Sequence, residues 1–170
     1  MRCFLGINLD DYSKKLDKIN LPKEPEMSKV KEYHITLIFY KDLPDNDIEK
    51  FKEKLKNFSF PKFDLEGDKL VAFPNKGAPD LYALGFKDDL KLRKLYEKIG
   101  NLIKIESDKK FNPHITLLRK EELPPDFKKS KENYSDVNSV KLEIDCFGLY
   151  KSEPSKGITS YTPLFIIKLK

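Results

Sequence analysis

The chain has 170 residues, 39% hydrophobic and 36% charged, which suits one folded domain with a real core and excludes a disordered chain. No apolar run approaches a membrane span, and the opening Cys3–Leu9 turns acidic at Asp10-Asp11 without a small-residue cleavage site, so the protein reads as cytoplasmic and off the membrane. The net charge of +5 rests on thirty lysines and three arginines; it favours an anionic partner without identifying one, because lysines also solvate helix faces.

In chain order, strand-like runs rich in β-branched and aromatic residues fall at Cys3–Leu9, Tyr33–Tyr40, Lys69–Phe73, Leu81–Phe86, Pro113–Leu118, Val140–Leu149 and Leu164–Leu169. Three helices are predicted between them. Tyr12, Leu16 and Ile19 form a stripe after Asp10-Asp11. Ile48, Phe51, Leu55 and Phe58 form another after Asp45-Asn46-Asp47, and Leu92, Leu95, Tyr96, Ile99, Leu102 and Ile103 a third after Asp88-Asp89. Proline, glycine and serine mark loops at Leu21–Pro25, Pro74–Pro79, Leu123–Pro125 and Ser152–Ser160. Cys3 and Cys146 lie in apolar runs and read as free, buried thiols. The chain is rich in lysine and glutamate and holds no glutamine, a bias seen in thermophile proteins.

One internal repeat stands out. His34-Ile35-Thr36-Leu37 recurs 80 residues later as His114-Ile115-Thr116-Leu117, and Leu43-Pro44 and Leu123-Pro124 follow at matching distances. Six of eleven aligned positions are identical, which predicts two similar halves, each with one motif strand. Side chains at i and i+2 of a strand share a face. His34 and Thr36 therefore point one way, and Ile35, Leu37 and Phe39 the other; His114 and Thr116 likewise stand opposite Ile115 and Leu117.

The chain has only these two histidines. Histidine ionises near neutrality, so two in one groove can divide the roles of acid and base. Threonine hydroxyls can hold phosphoryl oxygens as charge develops. The pattern thus suits in-line phosphoryl transfer. A metal would need three or four ligands, and neither histidine has a carboxylate or cysteine at ligand spacing, so no metal and no cofactor are expected. Arg119 could clamp a phosphate, but strict alternation puts it on the Ile115/Leu117 face unless a bulge turns it. Tyr40 shares parity with His34 and could stack on a base; a rim or core role suits it better.

At these residues the sequence resembles the two-histidine (2H) phosphoesterases, most closely the RNA 2′,3′-cyclic phosphodiesterases also described as 2′-5′ RNA ligases. Met1–Ile7 resembles that family's first strand, Tyr33–Tyr40 its first motif block, and Phe111–Arg119 its second. Leu149–Glu153, with Gly157 and Tyr161, resembles its closing segment. Phe39-Tyr40-Lys41 departs from the usual Phe-Leu-Gly. The resemblance implies an α+β fold of two pseudo-symmetric lobes of antiparallel sheet, spanning residues 1–170, with the active-site cleft between them. It implies hydrolysis of a terminal 2′,3′-cyclic phosphate to a 2′-phosphomonoester, and a reverse 2′-5′ joining reaction without ATP. His34 would donate a proton to the leaving 3′-oxygen and His114 would be the base on water. Thr36, Thr116 and Arg119 would hold the phosphate. RNA or tRNA fragment ends, or small cyclic nucleotides, would be the partners of a monomer. The rival reading is an RNA-binding module whose catalytic groups are idle.

Overall fold

The computed structural model describes residues 1–75, 78–104, 111–121, 132–156 and 158–170. Strand β1 (Cys3–Asn8) is buried on both faces through Ile7 and occupies the interior of a sheet, as its unbroken apolar run requires. One helical turn, α1 (Ser13–Leu16), and a three-residue strand, β2 (Met27–Lys29), lead to β3 (His34–Tyr40) and helix α2 (Asp45–Leu55). The long strands β4 (Phe63–Asn75) and β5 (Ala78–Phe86) precede helix α3 (Leu90–Ile103) and β6 (Ile115–Lys120). Strands β7 (Glu132–Ile144), β8 (Cys146–Ser155) and β9 (Ile158–Lys168) close the chain. No helix among the described residues is long and apolar enough to cross a membrane.

These strands form one antiparallel sheet in the order β7-β4-β5-β6-β3-β1-β8-β9, with β2 lying along β6. The expected lobes are the two halves of this α+β sheet. They meet where β3 and β6 pair at Ile35 and Ile115, both fully buried. The order reads the same outward from that seam: β3-β1-β8-β9 on one side, β6-β5-β4-β7 on the other. The core packs on one face of the sheet. There α3 buries Leu92, Leu95 and Ile99, each contributing roughly 1.5–3 kcal/mol. Helix α2 fully buries only Leu55, while Ile48, Phe51 and the trailing Phe58 pack partly against the same core.

Four expectations need correction. The Tyr12–Ile19 helix shrinks to a 3-10 turn at Asp10–Tyr12 plus α1. Its bonds then tighten to i+3 spacing, from Lys18 N–H to the Lys15 carbonyl and from Ile19 N–H to the Leu16 carbonyl. One turn already buries Leu16 and Ile19, so nothing demands a longer helix. Val140–Leu149 is two strands broken at Asp145. The residues that join the main core are even-numbered through Ile144, with Val140 and Leu142, and odd-numbered from Phe147, with Leu149, a parity change visible in the sequence. Strand β4 starts six residues before its expected start, because Phe63 and Leu65 alternate with exposed Asp64 and partly exposed Glu66. Ser152–Ser160 is mostly a hairpin and not a loop: Ser152, Glu153, Pro154 and Ser155 pair with Tyr161, Ser160, Thr159 and Ile158. Beyond Ser152, whose N–H reaches the Arg2 carbonyl, strand β8 has no partner on its β1 side among the described residues, so Pro154 needs no ladder bond there. The predicted loop at Leu123–Pro125 lies outside the described residues.

Candidate functional site

Both motif strands carry a bulge at the same place. Along β3, Gly6 pairs with Thr36 but Leu5 pairs with Ile38, leaving Leu37 as the extra residue. Along β6, Ala83 pairs with Thr116 but Tyr82 pairs with Leu118, leaving Leu117 extra. A bulge reverses the alternation beyond it. Leu37 with Ile38, and Leu117 with Leu118, consequently all face the core. The next residue of each strand, Phe39 or Arg119, turns to the histidine face. The bulge that Arg119 required is therefore present, and Phe39 is corrected from the core face to the site face, where it is 46% exposed. Tyr40 returns to the core side and packs on Phe51 with ring centroids 5.6 Å apart.

Ile35 faces Ile115 across the seam. One residue further in each direction, this antiparallel register sets His34 beside Thr116 and Thr36 beside His114. The two histidines thus occupy one diagonal of a square and the threonines the other, with diagonal neighbours about 7–8 Å apart. Among the described residues neither threonine hydroxyl has a protein hydrogen-bond partner. A small residue, Gly6 or Ala83, stands across the strand from each threonine.

His34 is walled by aromatic rings. Phe4 lies 4.8 Å from it and Tyr161 stands edge-on at 4.7 Å, centroid to centroid. Phe4 also stacks on Tyr150 at 5.4 Å. Gly6 makes room for this wall: a Cβ there would sit 2.7 Å from the Phe4 ring and 2.6 Å from the Ile35 carbonyl oxygen. Burial pushes the His34 pKa down to about 4. The Glu32 carbonyl opposes that shift, while His114 and Arg119 add to it, which places both groups within electrostatic reach. The Glu32 carbonyl falls short of good hydrogen-bond geometry, and His34 Nδ1 is buried without a partner.

His114 stands just before β6 and is held differently. Its Nδ1 lies 2.8 Å from the Asn112 carbonyl oxygen. A carbonyl only accepts, so Nδ1 carries a proton, and in the neutral ring Nε2 then keeps the lone pair. The preceding segment is clamped by α3. Arg93 forms two bonds to Asp89, at 3.0 and 2.9 Å, and donates to the Phe111 carbonyl at 3.1 Å. The Phe111 ring stacks flat on Tyr96 at 4.2 Å. Phe73 packs against the His114 ring at 4.7 Å.

Arg119 and its neighbour Lys120 have different fates. Lys120 pairs with the buried Asp80 carboxylate at 2.6 Å. Arg119 engages only its Nε, at 3.3 Å from the Lys120 carbonyl, and leaves the rest of its fork uncommitted among the described residues. Every predicted site residue, His34, Thr36, His114, Thr116 and Arg119, therefore lies on one face around the seam. Phe4, Phe39, Phe73 and Tyr161 were missed. The motif repeat could have found Phe39, since it aligns with Arg119. Both cysteines are free, with thiols pushed up to about 11 by burial, which makes them poor nucleophiles. Among the described residues no three histidine, cysteine or carboxylate side chains gather as a metal site.

A family model described as LigT like Phosphoesterase matches residues 7–81 and 87–159, so it covers both motifs. The chain is 29% identical over 161 residues to a protein of Archaeoglobus fulgidus named RNA 2′,3′-cyclic phosphodiesterase, covering 89% of this chain and 91% of that one. A Thermotoga maritima protein of the same name is 26% identical over 163 residues, covering 89% and 87%. In fold, the chain is similar to E. coli LigT complexed with 3′-AMP, with a TM-score of 0.76, 22% identity and coverage of 99% and 97%. A Thermus thermophilus protein, TT0787, gives 0.69 and 21%, with the same coverage.

Proposed function

The chain belongs to the LigT-like phosphoesterases, and from that premise we propose that it hydrolyses the 2′,3′-cyclic phosphate at RNA ends to a 2′-phosphomonoester, without a metal. The observation that carries this reading is the diagonal placement of two imidazoles across the Ile35/Ile115 seam. A phosphorus atom over the centre of that square has one imidazole on each side, as in-line displacement needs.

His114, with Nδ1 tied to the Asn112 carbonyl, takes a proton from water through Nε2. The water oxygen forms the new bond to phosphorus as the bond to the 3′-oxygen breaks. His34 gives its proton to that departing oxygen. Thr36 and Thr116 donate to the non-bridging oxygens, and Arg119 grips the phosphate with its free fork. The terminal base stacks on the exposed Phe39 ring.

At neutral pH the partly buried His34 is neutral in the free protein, since its pKa is lowered to about 4. An anionic phosphate in the square raises that pKa and draws a proton onto the ring, so substrate arms the acid. Its substrates are RNA or tRNA fragment ends met in the cytoplasm by a monomer. With an RNA 5′-hydroxyl in place of water as the nucleophile, the same groups would join ends through a 2′-5′ bond without ATP, the new bond to phosphorus forming as the bond to the 3′-oxygen breaks.

The test is turnover of a short RNA ending in a 2′,3′-cyclic phosphate, in excess EDTA, with the product mapped. A 2′-phosphate product supports the proposal. Salt-sensitive RNA binding without turnover would transfer support to the binding-module reading. Abolition by EDTA would turn the histidines into candidate metal ligands.

A further inference from the structure

The chain uses its three arginines in three ways. Arg93 is consumed by Asp89 and the Phe111 carbonyl, and Arg119 stands in the site. Arg2 has no carboxylate partner among the described residues. Its guanidinium lies 5.0 Å from the centroid of the Phe39 ring, on the face that carries His34. Its backbone is held firmly. The Leu43 N–H donates to the Met1 carbonyl at 2.7 Å, and the Ser152 N–H donates to the Arg2 carbonyl at 3.0 Å. Cys3, next in the chain, pairs with both Tyr40 and Lys151. Arg2 is thus a fixed cation on the rim, placed by three strands.

Arg2 and Arg119 flank one phenol. Both oppose the upward shift that burial imposes on Tyr161, so the two guanidinium groups lie within electrostatic reach of the same ring. A lone arginine on an exposed ring contributes little to folding, about 0.5–1 kcal/mol. Its geometry serves an anion better. Two guanidinium groups on one face, each without a carboxylate partner among the described residues and beside an exposed Phe39, suit a ligand that carries more than one phosphate. With the terminal phosphate on Arg119 and the terminal base on Phe39, the backbone leaving that nucleotide passes the rim that Arg2 occupies.

We propose that Arg2 binds the phosphodiester preceding the terminal nucleotide, so that the site selects oligonucleotide ends over mononucleotide cyclic phosphates. This rests on the phosphodiesterase reading and deepens it. No atom of Arg2 enters the reaction; it is a specificity-determining residue.

The experiment measures kcat/KM on three substrates: adenosine 2′,3′-cyclic phosphate, the dinucleotide ApA 2′,3′-cyclic phosphate, and that dinucleotide with a neutral methylphosphonate linkage. Wild type, Arg2→Ala and Arg2→Lys are compared. Wild type should prefer the charged dinucleotide over the other two. Arg2→Ala should cut that preference about tenfold, chiefly through KM, and flatten its salt dependence; Arg2→Lys should recover part of it. The neutral dinucleotide should hardly distinguish wild type from Arg2→Ala. Equal losses on all three substrates would reduce Arg2 to a structural prop of Phe39 and overturn the proposal. So would a preference for the charged dinucleotide that survives Arg2→Ala. If wild type turns over none of them, the hydrolase reading falls and takes this inference with it.

Discussion

The two halves of the sheet share a backbone device and differ in what they hang on it. Each presents His-x-Thr, bulges at the following leucine, and swings the residue five past its histidine onto the same face. In one half that residue is Phe39, in the other Arg119. One histidine is walled by Phe4 and Tyr161 with Nδ1 unpartnered; the other is held through Nδ1 by the Asn112 carbonyl. A repeated frame explains why two imidazoles meet on one diagonal. The differing surroundings explain how two identical motifs can take opposite proton-transfer roles. Symmetry supplies placement, and asymmetry supplies chemistry.

The sharpest way to break this comparison is at the position where the halves diverge most. Arg119→Ala should lower kcat/KM by about 10²–10³, the usual cost of removing a donor to a developing oxyanion. Arg119→Lys should restore only part, because it keeps the charge and loses the fork. Steady-state kinetics on a cyclic-phosphate RNA checks both.

Next is the histidine walled by aromatic rings. The His34 pKa falls from 6.5 unfolded to about 4 folded. Between those values the unfolded chain binds more protons, so stability rises with pH. The contribution is full above about pH 6.5 and is lost as pH falls toward 4, at most about 3 kcal/mol. Thermal melts from pH 7.5 to 4.5 should show a larger drop for wild type than for His34→Gln. Equal drops would contradict the environment assigned to His34.

The smallest of these effects is at Phe39. Removing an exposed stacking platform costs about 1–3 kcal/mol, so Phe39→Ala should raise KM roughly tenfold with little change in kcat. A collapse in kcat would give the ring a role in aligning the reaction.

Much of this was legible in the sequence. The His-x-Thr repeat located the central strands, and its period predicted the two halves. Strand parity placed His34 with Thr36 and His114 with Thr116. Parity failed where the ladder slips: nothing in Leu37 or Leu117 announces an extra residue, since a bulge is a property of pairing with β1 or β5. Phe39 was misplaced for that reason, while Arg119 joined the site by resemblance. The aromatic wall was hidden because Phe4, in β1, is far in the chain from Tyr150 and Tyr161, which come from the closing hairpin of β8 and β9. The parity change at Asp145 and the alternation in Phe63–Gly67 were readable and were passed over.

The central claim is that His34 and His114 act as one acid/base pair. It is tested most directly by measuring kcat on a cyclic-phosphate RNA for His34→Ala, His114→Ala and the double variant, all in EDTA. Each single change should cost about 10²–10⁴, and the double variant should be little worse than the weaker single, because either loss disables the shared step. If either single variant keeps a rate within tenfold of wild type, the paired mechanism is wrong.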